Sequence, residues 1–295
     1  QWLNNSNEEI IFNSYSDDIG YVTLKYNLNT EETETYNLPT YCLHNENDKF
    51  LSLNFQRLQK LALGYGYPII DSLNELSEDG VWEYNTKTNS LKILISLLDV
   101  INFLGIKNAK SDSCYINHLE YIPNSDDFIF IFRTLNKDGL FYSRLFKYNA
   151  KESQLVLLID TGHVSHFCWF SDIVLFIYAT NDDGVKSFFY LDVLTGEMTN
   201  YEGDSMIEDG HPSFTRDKKF IINDTYPNTK RIQFLYLYDN ELNKRISVDE
   251  LYSPFRYFDE NRCDLHPRWN NESNSVAIDT THTGKRTIRI YQIFN

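Results

Sequence analysis

Short runs of alternating apolar and polar residues recur along this chain, each closed by a polar or glycine-bearing turn. Residues 9–12, 21–26 and 33–38 form the first such group, with Asp17-Asp18-Ile19-Gly20 and Asn27-Leu28-Asn29-Thr30 between them. A period of two broken by Asn, Asp and Gly predicts strands joined by hairpins. Gln1-Trp2-Leu3 reads as the start of a further strand, so residues 1–38 form one four-stranded unit. The next unit starts at Tyr41-Cys42-Leu43-His44, runs through residues 50–53, resumes at 80–84 and ends near Ile95. Residues 54–68 interrupt it with an excursion rich in Gly and Tyr, too long for a hairpin loop. Residues 96–105 predict one short helix, with Ser96 as N-cap, Asp99 three residues on and Gly105 as the stop. Further units run over 114–159 and 164–201, and two more are headed by His211 and His266.

The last two units repeat one motif. Asp209-Gly210-His211-Pro212-Ser213-Phe214 and Asp264-Leu265-His266-Pro267-Arg268-Trp269 each lead into an apolar run. That run ends in an acid and a threonine, Asp224-Thr225 and Asp279-Thr280. A unit recurring at roughly 40–55 residues is one supersecondary block built several times, and four short strands per block predict an all-β β-propeller. A β-sandwich would not repeat a heading motif. Six to seven four-stranded blades are expected in a single domain over 1–295. Seven is favoured, because the sixth unit stops after a third strand and the chain opens on Gln1, as though upstream residues complete the ring.

Composition narrows the function. The chain has 295 residues with 42% apolar and 15% aromatic content, and Tyr (21) and Phe (20) far outnumber Met (2), which suits a large sheet core. A net charge of −15 argues against nucleic acid, which needs a basic footprint, and against anionic membranes. A local cationic pocket for an acidic sugar remains compatible with it. The four cysteines, Cys42, Cys114, Cys168 and Cys263, lack CxxC spacing and read as buried free thiols. No apolar run approaches a membrane span, and no signal peptide is read; a cytoplasmic location is expected, with the Gln1 start leaving room for a lost export signal.

Four histidines head units at the same place, just before an aromatic or large apolar residue: His118, His166, His211 and His266. His163 and His282 lie outside that register. The first strand of a propeller blade lines the central channel, so the four rings are expected to meet there. Imidazoles gathered in one channel need water, acids or a metal. Each alone also reads as a repeat residue that packs a turn.

The repeats from His211 to Pro227 and from Asp264 to Arg286 resemble those of oligogalacturonate lyases, and more widely the Tol-type propeller repeats with a His-Pro-x-aromatic strand start. The resemblance covers roughly residues 114–295, while the N-terminal third is closer to uncharacterised bacterial lyase-like propellers. It implies a divalent metal, manganese first and zinc or iron as alternatives, held by His211, Asp264, His266 and Asn261. Asp264 stands where the family has a histidine, and a mixed N/O set still suits a divalent ion. It further implies His166 and Arg133 as catalytic residues.

Such a site would carry out β-elimination on a uronic acid, which needs charge against the carboxylate and a base near the C5 proton. His118, Arg57, Arg268 and Lys285 are expected to bind the acidic oligosaccharide. A propeller that binds a glycan or protein without catalysis, or a metal-assisted glycan hydrolase using Asp264 or Asp224, remains as an alternative. Nothing resembles a serine nucleophile elbow or a phosphate-binding loop.

Overall fold

The structure, a computed structural model, describes residues 1–3, 6, 8–68, 73–107, 109–136, 138–203, 206 and 208–294. Its strands form six antiparallel sheets, each a meander in which sequence neighbours pair. The fold is all-β, a six-bladed propeller with two short α-helices. Six blades, not the favoured seven, are present among the described residues. The chain divides into two compact units, Gln1–Leu158 and Ile159–Asn295.

In the first unit, Glu9–Ser16, Gly20–Asn27 and Thr33–Tyr36 form a three-stranded sheet. Trp2 adds a single bridge to Ile10, so the N-terminal segment does extend this sheet. The second sheet comprises Cys42–Leu43, Lys49–Ser52, Gly80–Asn85 and Ser90–Ser96. Cys114–Tyr121, Phe128–Leu135, Phe141–Asn149 and Gln154–Gly162 build the third. Phe128, Phe130, Phe132 and Phe146 are fully buried between these layers, and Phe130 stacks on Phe146 at 5.5 Å. Each such ring contributes about 1.5–3 kcal/mol on burial.

The interruption after Ser52 is a helix that the residue pattern does not announce, α1 (Phe55–Leu61). Asn54 caps it, its Oδ1 accepting the N–H groups of Gln56 and Arg57. The chain then folds back: Tyr67 stacks on Phe55 at 4.5 Å and its N–H donates to the Phe55 carbonyl. Gly66 is required there, because a Cβ would stand 2.0 Å from the Phe55 oxygen. The expected helix is α2 (Leu97–Phe103), with Ser96 and Asp99 forming a reciprocal capping box and Gly105 at φ +64° ending it.

The second unit holds three sheets. Val164–Trp169, Val174–Thr180, Lys186–Asp192 and Met198–Asn200 make the fourth. The fifth comprises Ser213–Phe214, Phe220–Asp224, Ile232–Asp239 and Lys244–Tyr252. The sixth has three strands, Arg268–Trp269, Ser275–Thr280 and Thr287–Gln292. Phe176 and Phe188 lie flat on each other at 4.6 Å, and Leu265, Val276 and Ile278 pack with Ile222, Leu235 and Leu237. All four cysteines are free thiols, and burial pushes Cys114 up to about 11, far from reactive. No helix among the described residues is long and apolar enough to cross a membrane.

Candidate functional site

Three of the four heading histidines meet. The rings of His166 and His211 are 4.1 Å apart between centroids and those of His211 and His266 are 3.6 Å apart, so His211 is the middle of a row. All three stand at the first strands of successive sheets in the second unit. His166 occupies a break in register between Val164 and Phe167, a bulge that turns its side chain out of the ladder. His211 and His266 lie just before their two-residue strands, where Pro212 and Pro267 end the approach.

One buried carboxylate organises the row. The antiparallel pairing of Ser213 with Ile222, continued two residues further, brings His211 beside Asp224. Asp224 is 1% exposed and accepts the His211 backbone N–H at 2.7 Å, the His211 Nδ1 at 2.9 Å and the His266 backbone N–H at 3.1 Å. Gly210 lets the chain pass: a Cβ there would sit 2.1 Å from the Asp224 carbonyl oxygen. The same register in the sixth sheet would pair His266 with Asp279, yet His266 adopts φ +44° and Asp279 instead holds Arg268 at 2.8 Å. The turned backbone points the His266 N–H at Asp224.

A second carboxylate serves His166. Asp209 accepts the Ser165 hydroxyl at 2.6 Å and lies 3.1 Å from the His166 Nδ1. With Nδ1 so engaged, Nε2 faces the Tyr226 hydroxyl at 3.4 Å. The Arg262 guanidinium covers the Tyr226 ring at 4.9 Å and its Nε lies 2.9 Å from the Asp264 Oδ1.

Charge is divided unevenly along the row. Burial opposes a proton on His211, but the Asp224 charge and hydrogen bond outweigh it and raise its affinity above the ordinary imidazole value. Burial likewise opposes ionisation of Asp224, and His211 overcomes it, holding the carboxyl below its usual range. Crowding by protein atoms, then the charge on His211, pull His266 down. That residue keeps a face in solvent, and its lowered proton affinity favours the neutral ring beside His211.

The donor set fits a cation. One ligand atom from each of His211, Asp264 and His266 lies within 4.8 Å of the others. Asp224 engages His211 through Nδ1, so a metal held here would meet its Nε2, the outer-shell arrangement usual for metal-bound histidines. The Asp264 Oδ1 is buried and receives no aligned hydrogen bond, although Arg262 lies within ion-pairing distance. Two imidazoles and a carboxylate suit manganese, zinc or iron.

The other expected residues are placed differently. His118 and Arg133 belong to the first unit. His118, at φ +47° in a bulged strand, donates its N–H to the Tyr41 hydroxyl within the first unit. Arg133 donates to Asn117 and Ser143. Arg57, expected to bind substrate, is 1% exposed, with Nε on Asp79 and the other nitrogens on the carbonyls of Asn74 and Ser111. Its burial and these three bonds give it a structural role. Asn261 ends a 3-10 turn and its carbonyl accepts from Arg286. Arg268 and Lys285 are exposed. Reading the sequence missed Asp209, Ser165 and Tyr226 as partners of His166. The register argument could have found Asp224, since it stands opposite His211 across a short hairpin.

No family model and no curated protein matches this sequence. Solved structures do. The chain is similar to an oligogalacturonate lyase in complex with manganese, at 9% identity and a TM-score of 0.62, over 99% of this chain and 73% of that one. It is also similar to TolB from Acinetobacter baumannii, at 10% identity and a TM-score of 0.57, over 97% of this chain and 61% of that one. Both likenesses support the propeller fold, and neither singles out a lyase branch.

Proposed function

We propose that this chain is a metal-dependent, oligogalacturonate lyase-like enzyme that cleaves a uronic-acid-containing glycan by β-elimination at the histidine row. The observation that carries this reading is the convergence of His211, Asp264 and His266 in front of the buried Asp224. Similarity to a lyase whose structure holds manganese supports it, and manganese is the proposed ion. When bound, the metal supplies a positive charge that lowers the energy of the carboxylate-stabilised carbanion.

The chain's own residues do the rest. Asp209 and Ser165 hold His166 through Nδ1, so that Nε2, which faces the Tyr226 hydroxyl, is the proposed proton acceptor. That nitrogen takes the C5 proton of the uronate; the C–H electron pair forms the C4–C5 double bond, and the C4–O bond breaks. The departing oxygen collects a proton from water. Arg133 is placed in the reaction as a catalytic residue by the resemblance alone; the exposed Arg268 and Lys285, with His118, would bind the substrate, and Asn261 would be a further metal ligand.

The test is elemental analysis of protein supplied with Mn²⁺, wild type beside His211→Ala and His266→Ala, then incubation with acidic oligosaccharides. Near-stoichiometric metal lost in both variants, and an ultraviolet-absorbing unsaturated product lost in His166→Ala, are expected. A wild-type protein that takes up no metal would overturn the reading and leave a binding propeller.

A further inference from the structure

The loops of the second unit carry a feature that this chemistry does not use. Phe255 and Phe258 stack face to face, 5.7 Å between centroids and 7° between planes, yet are 71% and 58% exposed. Two large rings held together in solvent mark an interaction site more often than a packing accident. They are fixed in place. The Arg231 guanidinium lies 5.8 Å from both centroids, while its nitrogens donate to the Ser253 carbonyl, the Ser253 hydroxyl and the Tyr257 carbonyl. The Tyr257 hydroxyl donates to the Gly284 carbonyl, tying in a third loop.

The segments 225–231, 253–258 and 281–286 contain no acidic residue, although Asp259 and Glu260 follow Phe258 directly and the chain as a whole carries a charge of −15. They contribute Lys230, Arg231, Arg256, Lys285 and Arg286. Phe258 is six residues from Asp264 in the chain, so their Cα atoms lie within about 22 Å of each other.

We infer that this basic, aromatic face is a second binding site, for the non-reacting units of an extended acidic glycan. The Phe255–Phe258 pair takes the apolar face of a sugar ring, and the arginines and lysines take the carboxylates of its neighbours. The inference rests on the proposed function only for the acidity of the sugar, and it does not require elimination to occur. A polyphosphate would meet the same charges, but the exposed aromatic pair here sits in a strongly acidic protein, against the broad basic footprint that nucleic acids need.

The experiment is calorimetric titration of the full chain with long and short oligogalacturonates, with dextran and single-stranded DNA as controls. Proteins compared are wild type and Phe255→Ala/Phe258→Ala, the variant checked for an unchanged melting temperature. Expected are loss of about tenfold in affinity for the long oligomer in the phenylalanine variant and no binding of dextran. If the long oligomer does not bind wild type, if the phenylalanine variant binds it as well as wild type does, or if DNA binds more tightly, the inference is overturned. Elimination failing while long-oligomer binding persists would refute the proposed function and leave this inference standing.

Discussion

Each unit of the chain buries a carboxylate against a basic partner, and the two pairs are built to opposite ends. In the first unit, Asp79 meets Arg57 at 2.6 Å and also accepts Asn54 at 2.7 Å, and every arginine nitrogen is spoken for within the unit. In the second, Asp224 meets His211 at 2.9 Å through Nδ1, and a ligand atom of His211 lies within 4.8 Å of ligand atoms of His266 and Asp264. Burial outweighs Arg57 and raises the Asp79 carboxyl, whereas His211 outweighs burial and lowers that of Asp224. Burial and pairing alone therefore do not mark a site. A set of donors left open on one side does.

The largest effect that would separate the two is expected from Arg57→Ala. It leaves Asp79 buried without its cation and should cost about 3–5 kcal/mol in urea unfolding, with metal uptake unchanged. Loss of uptake there would break the comparison. Asp224→Asn should weaken metal binding by about 10–100-fold while costing roughly 1–3 kcal/mol of stability, read by metal titration and urea unfolding together.

pH offers the next contrast, in metal-free protein. His211 is raised above 6.5, so its contribution is complete below that value and fades as pH climbs through its folded pKa. Asp224 is lowered below 3.8, so its contribution is complete above that value and is lost as pH falls through its folded pKa. The pair therefore stabilises most between about 3.8 and 6.5, with Asp209, Asp264, His166, His266 and Arg268 facing it. Melting temperatures across pH should show this window in wild type and Arg57→Ala and a flatter profile in His211→Ala. The smallest effect is Ser165→Ala, about 1 kcal/mol from one hydrogen bond to Asp209. Any product formation should fall further in that variant than stability does.

Much of the architecture was legible because period-two runs and turn residues are local signals. Strand groups, the heading motif and α2 with its Ser96–Asp99 box all follow from neighbours in sequence. The first helix was not, since Asn54 caps a segment whose apolar residues do not fall into an obvious helical stripe. The row of His166, His211 and His266 follows from repetition, but Arg57 shows where repetition gives no help. Its burial depends on Asp79, twenty-two residues on, and on the carbonyls of Asn74 and Ser111. The role of Asp224 was hidden because Asp279 occupies the equivalent place in the next repeat and does something else.

His266 holds a left-handed backbone, at φ +44°, which for a residue with a side chain costs roughly 1–2 kcal/mol that glycine would not incur. Selection for a sturdy scaffold alone would drift this position towards glycine. His118 holds nearly the same conformation at φ +47°, so two of the four heading histidines carry this strain where their strands begin or bulge.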